Sequence, residues 1–103
     1  MTLAELKTQL DTSRLPVAYE HFDESSVPAM PFVCYAEVSS DNFAADGVVY
    51  LPVKVIEVQL FTKTKDINAE DALEGAMSGL FWQKESEWDE DELCYRVIYT
   101  IQI

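Results

Sequence analysis

From Leu93 to Ile103 the odd-numbered residues are Leu, Tyr, Val, Tyr, Ile and Ile, and the even-numbered ones are Cys, Arg, Ile, Thr and Gln. A period of two places alternate side chains on opposite faces of a strand. From Lys54 to Thr62 the pattern returns, with Ile56, Val58 and Leu60 on one side and Glu57 and Gln59 on the other. Two such segments require a sheet with one apolar face covered and the other wetter, the usual state of antiparallel strands. A slip of one residue would turn every apolar side chain to water, so the register of both strands is tightly specified.

The rest of the chain supplies the cover. Thr2 and Glu5 have the spacing of a capping box, and Leu3, Leu6 and Leu10 make one helical stripe, predicting a helix over residues 2–12 that Pro16 ends. Leu73, Met77 and Leu80, backed by Ala69, Ala72 and Ala76, predict a second helix over 67–80, capped by Asp66 or Asn68. Glu70, Asp71 and Glu74 favour its N-terminal half, and its acids are expected on a solvated face. Further strands are expected at 17–22, with Val17, Tyr19 and His21 on one face, at 32–38, and at 81–88. The segment 48–62 reads as strand with a break or bulge at Pro52. Asp23–Pro31 and Ser39–Asn42 carry loop and turn residues, and Asp46-Gly47 is the strongest two-residue turn signal. Phe43-Ala44-Ala45 is an apolar island between the last two.

The order α-β-β-β-α-β-β has no regular βαβ alternation and predicts an α+β domain: an antiparallel sheet of four to five strands with two helices on one face. At 103 residues one domain, 1–103, is expected, without linker or repeat.

Charge excludes several roles. Nineteen acids against seven bases give a formal net charge of −12. Tight nucleic-acid binding needs Lys and Arg to displace counterions, and a polybasic membrane surface needs the same residues. At 49% hydrophobic residues the chain is too apolar for an acidic disordered tail. Neither a signal peptide nor a run near the ~20 apolar residues of a membrane span is visible, so a cytoplasmic product is expected. Cys34 and Cys94, 60 positions apart, are then expected as free, packed thiols.

Chemistry is sparsely signalled. The chain has one His and two Cys, scattered, where structural zinc wants four ligands at short spacings. Asp89–Glu92 offers oxygen ligands but lacks the turn glycine of a calcium loop and is expected to be a solvated turn. Cys34 and His21 lie on adjacent expected strands, yet an apolar run around Cys34 raises a thiol pKa and quiets it. Motifs for nucleophile elbows, dinucleotides, phosphates or zinc proteases are absent. The expectation is a non-enzyme without cofactor or metal. The aromatics Phe43, Phe81, Trp82 and Trp88 lie in or beside loops and edges, where interfaces find anchors, although core packing is their default. Asp41, Asn42, Phe43, Asp46 and Trp88 are the candidate partner interface.

Four segments carry a family resemblance: Leu3-x-x-Leu6 leading into Leu15-Pro16-Val17-Ala18-Tyr19; Asp41-Asn42-Phe43-x-Ala45-Asp46 followed by Tyr50; Val58-x-Leu60-Phe61-Thr62-Lys63-x-Lys65-Asp66; and Leu93-Cys94-Tyr95-Arg96-Val97-Ile98-Tyr99. In their order and spacing the chain resembles the small tail-completion, or head–tail joining, minor capsid proteins of long-tailed bacteriophages and prophages of Gram-positive bacteria. Gly75–Trp82 departs from the pattern, which has a longer and more regular helix there. The resemblance implies a structural subunit that self-associates on the particle, with a hexameric ring favoured. It implies contacts with connector, head-completion and tail proteins, and a location in the bacterial cytoplasm during assembly and then at the virion neck or tail end. Acids lining such a ring would let DNA slide instead of stick, and acids coating its outside would only serve solubility. An acidic DNA-mimic or other inhibitor module that binds a basic DNA-handling protein is the alternative, and a binding module with an internal pocket is a third class.

Overall fold

A computed structural model describes all 103 residues. The helix α1 (Leu3–Asp11) opens the chain. Thr2 Oγ1 accepts from Glu5 N at 3.1 Å and Glu5 Oε1 accepts from Thr2 N at 2.9 Å, so the capping box is closed in both directions. There follow β1 (Val17–Tyr19), β2 (Phe32–Ser40), β3 (Phe43–Ala45), β4 (Val48–Leu51) and β5 (Lys54–Thr62). Then come α2 (Ile67–Ala76), β6 (Trp82–Asp89) and β7 (Cys94–Gln102). Asp66 caps α2, its Oδ1 accepting from Ala69 N at 3.0 Å.

Five strands form one sheet in the order β1-β2-β5-β7-β6, and β3 and β4 form a separate two-stranded ribbon. The fold is α+β, with both helices on one face of the sheet. Leu6 and Leu10 of α1 and Ala69 and Leu73 of α2 pack on Val33, Ile56, Val58, Leu60, Val97 and Ile101. Each fully buried Leu, Ile or Val among them contributes about 1.5–3 kcal/mol relative to exposure. The alternation in β5 and β7 is realised as expected, with Leu60 opposite Val97, Val58 opposite Tyr99 and Ile56 opposite Ile101.

Several details differ from the sequence expectation, each for a physical reason. The sheet is mixed: β1 runs parallel to β2, because the chain between them crosses back through the loop at residues 20–31 instead of turning in a hairpin. This strand stops at Tyr19, where Glu20 takes a positive φ of 64°, so His21 lies outside it and is exposed. Helix α2 ends at Ala76 instead of residue 80; Met77 is its C-cap and Gly79 takes a φ of 87°. Leu93 belongs to the turn, exposed and at a φ of 52°, instead of the last strand. The apolar island 43–45 is a strand, paired with the first piece of the segment that Pro52 divides from β5. No helix is long and apolar enough to cross a membrane.

The long axis measures 48 Å against 28 and 26 Å. The radius of gyration, 14.8 Å, exceeds the ~13 Å of a compact domain of this length. The ribbon accounts for the excess: none of its residues joins the core, and it makes no substantial contact with helix or sheet.

Candidate functional site

The ribbon is built from its turn outward. Asp46 and Gly47 have φ of 54° and 75°, the paired left-handed conformation of the tight hairpin turn whose twist matches its strands. Ala45 pairs with Val48, Ala44 with Val49 and Phe43 with Leu51, leaving Tyr50 as the extra residue of a bulge. At the base Asp41 N donates to Val53 O at 2.9 Å, Val53 N donates to Asn42 Oδ1 at 3.0 Å, and Gln102 Nε2 donates to Asp41 Oδ2 at 3.1 Å. Asp41 and Asn42 therefore anchor the ribbon to the sheet.

Every ribbon residue is exposed, on both faces. Phe43 is 63% exposed, Val48 67% and Tyr50 77%, with Val49 and Leu51 also open to water. A lone two-stranded hairpin is marginal in water, and a contiguous exposed apolar surface of this kind marks a contact site. The only charge between Phe43 and Leu51 is Asp46, at the turn.

Of the candidate interface residues, Asp41, Asn42, Phe43 and Asp46 come together here. Trp88 does not. It pairs with Tyr95 near the end of β6, whereas Asp41 meets Gln102, seven strand residues away along β7, about 24 Å. Trp88 is half exposed at the opposite end of the sheet. Trp82 packs edge to face on Tyr99, with ring centres 5.4 Å apart, and belongs to the core margin. Phe81, 82% exposed, stands free beside it.

The face of the sheet away from the helices carries Cys34, Gln59, Phe61, Cys94 and Ile98, by the register of β2, β5 and β7. Phe32 stacks on Phe61 at 5.1 Å and meets Phe22 edge to face at 5.4 Å. The loop from Val27 to Met30 stands over this ladder and leaves a groove of about 500 Å³. Phe32, Phe61 and Cys94 line it, with Lys63, Arg96, Asp89 and Glu92 at its edges. Arg96 is paired with Glu87 and lies 3.7 Å from Asp89. Lys63 has no carboxylate within ion-pair distance.

One charged cluster was invisible in the sequence reading. Glu70 on α2 is buried, not solvated, and lies 2.7 Å from Lys65 and 3.1 Å from Lys84. Lys84 is also 2.7 Å from Glu74, which accepts the Tyr99 hydroxyl at 2.6 Å. Burial pushes the Glu70 carboxyl up, but hydrogen bonds and charges from Lys65 and Lys84 outweigh it and hold it below the usual range. The bond to Glu74, with a smaller part from Glu70, raises Lys84 against the effect of burial. Burial, then Glu74, pushes the Tyr99 phenol far up. All of these shifts favour the ionised carboxylate, the ammonium and the neutral phenol, the states that tie α2 to β6 and β7. The available signal was Lys84 itself, a base at a position of β6 whose alternation faces the core side.

Cys34 and Cys94 are free and buried. Burial raises both thiols, and Asp89 adds to the effect at Cys94. The structure does not join Cys34 to His21: Cys34 lies beside Ala18 and Gln59 in the sheet, and His21 Nδ1 is 3.2 Å from Phe22 O. No group of three His, Cys, Asp or Glu side chains is placed to hold a metal ion. Comparison with family models, curated proteins and solved structures finds no match.

Proposed function

We propose that the chain is a non-catalytic structural subunit of a long-tailed bacteriophage or prophage, acting at the head–tail junction by self-association and by binding connector and tail proteins. The observation that carries this reading is the β3–β4 ribbon, an apolar arm exposed on both faces and anchored at its base by Asp41 and Asn42. An arm of this kind lowers its free energy only by burial against another molecule. The order of the four segments that resemble the tail-completion family supports the same reading, since the ribbon falls on the second of them. The acids have the role of keeping copies and DNA from adhering outside the specific contacts. Co-expression with the connector and tail proteins of a phage, followed by affinity capture and electron microscopy, tests it. A ring of this chain at the end of a connector or tail is the expected result. Capture of neither protein sinks the reading.

A second reading has one observation in its favour. Glu85, Glu87 and Asp89 fall on one face of the edge strand β6, about 6.8 Å apart, a row of carboxylates such as a DNA mimic presents to a basic protein. Against it, Arg96 lies within ion-pair distance of two of the three and offsets part of their charge. Capture of a nuclease or methyltransferase in place of connector proteins favours this alternative.

A further inference from the structure

We infer that the β3–β4 ribbon of one copy seats in the groove at the far end of the sheet of a second copy. The inference rests on the self-association proposed above and gives it a donor and an acceptor.

The ribbon sets the requirement. Val48 and Val49 are neighbours in an extended strand, so they point to opposite faces, and both are exposed. A ribbon lying on a flat surface needs one apolar and one polar face. One that is apolar on both faces needs two walls.

The groove supplies them. Its floor is Phe32 and Phe61, one wall is the loop Val27–Met30, and the other is the end of β7 with the turn that precedes it. Its volume, about 500 Å³, accommodates a few side chains.

Position excludes the copy's own ribbon. The groove lies at the Phe32–Phe61 pair, and the ribbon leaves the sheet beyond the Ser40–Lys54 pair. Eight strand residues separate them, about 27 Å, and the ribbon makes no substantial contact with the sheet. A donor at one end of the long axis and an acceptor at the other let copies join head to tail, which closes to a ring or extends as a filament.

Charge selects the occupant. Copies at −12 repel one another over most of their surface. The ribbon carries a single charge, Asp46, at the turn that would enter first. The groove carries Lys63, the one basic side chain at its edge without a carboxylate partner. Two acids share that edge: Asp89 already faces Arg96 and accepts from Asp91 N and Glu92 N, whereas the Glu92 carboxylate has no base within ion-pair distance. The complementary pair is therefore Asp46 with Lys63 of the next copy. A nine-residue arm gives an interface at the small end of the specific range, so a single contact is weak and shows at high protein concentration.

Sedimentation velocity of the pure protein up to about 1 mM tests this, with Asp46→Lys, Lys63→Asp, the double exchange and Tyr50→Ser. All three positions are exposed or at a groove edge, and unchanged melting checks the fold. The wild type is expected to associate. Each single variant should weaken association about tenfold or more, and the double exchange should recover most of the loss. A mixture of Tyr50→Ser with Lys63→Asp should form mixed dimers that neither forms alone, because each keeps one half of the contact. A wild type that stays monomeric, single variants that associate normally, or a double exchange without recovery overturns the inference. Loss of connector capture by the ribbon variants with self-association intact assigns the ribbon to the connector and also overturns it. Failure of connector capture alone removes the phage role and leaves this contact standing.

Discussion

The hydroxyl of Tyr99 donates to Glu74 Oε2 at 2.6 Å, and through Glu74 the inner strand β7 is tied to α2 and to the edge strand β6. Tyr99 is fully buried, and without this acceptor its hydroxyl would be an orphan in the core. Tyr99→Phe should cost about 1–1.5 kcal/mol and lower the melting temperature by roughly 4–8 °C per kcal/mol lost. A calorimetric melt at neutral pH checks it. An unchanged midpoint would mean that the bond contributes nothing net.

Lys84→Met tests the same cluster with a pH signature. The variant leaves buried Glu70 with Lys65 alone and Glu74 without its cation. Lys84 is partly exposed, so the expected loss is about 1–3 kcal/mol, short of that for a fully buried pair. The Glu70 carboxyl is held below its unfolded value, so its contribution is present above that value and lost as pH falls through the folded one. Lys84 is raised, so its contribution is present below the unfolded lysine value and lost as pH rises through the folded one. The gap between wild type and variant should therefore be widest near neutrality and close toward acid and toward strong base. Urea midpoints at several pH values read it, and a gap independent of pH would exclude the electrostatic account.

Val97→Asp places a carboxylate in the core opposite Leu60, at 1% exposure. No base among the neighbouring core residues can pair it, so the loss should exceed about 4 kcal/mol and unfold the domain. Circular dichroism at room temperature decides this, and a native spectrum with an unchanged melt would show the strand register to be shifted by one.

That register was legible because its cause is local: alternation in residues 54–62 and 93–103 survives any arrangement of neighbours. The same holds for the caps at Thr2 and Asp66, where side chain and backbone lie within one turn. What escaped depends on partners distant in sequence. Glu70 looks like any first-turn acid until β6 brings Lys84 beneath it, 14 residues on. The parallel pairing of β1 depends on the path of the loop at 20–31, for which the sequence carries no period. At the candidate site, the Asp46-Gly47 turn and Phe43 were readable, but Val48–Leu51 read as the first part of one strand running on to Thr62 across a break at Pro52. Its exposure follows only from Pro52, which separates it from the sheet. That Trp88 stands apart from the ribbon was hidden for the converse reason, since exposure without register does not say to which end of the sheet a residue belongs.

Cys34→Ser should leave assembly intact. The thiol is buried on the outer face of β2 and burial raises its pKa, so it is a poor nucleophile at neutral pH. The hydroxyl should cost roughly 1–3 kcal/mol of stability where it finds no partner. Slow reaction of the native protein with a thiol reagent, accelerating in denaturant, is the companion measurement. Loss of partner capture in the folded variant would bring thiol chemistry back into consideration.

Phe43→Ala separates the ribbon's two possible roles, packing and contact. Phe43 is 63% exposed, touches no part of the core and sits opposite Leu51 at the ribbon base. Removing its ring gives up little buried area, so the midpoint of thermal melting should move by less than about 0.5 kcal/mol in free energy. At an interface the same ring would be an anchor, and truncation of an aromatic anchor costs about 2 kcal/mol or more, a loss of binding by a factor of roughly 30. The variant should therefore fold as the wild type does and fail in particle assembly, measured as the yield of infectious particles from a lysate complemented with the mutant chain. Normal yield from a folded Phe43→Ala protein would refute the contact role. A large fall in melting temperature would instead mean that the ribbon folds back on the sheet in solution, and its exposed apolar faces would then need no partner.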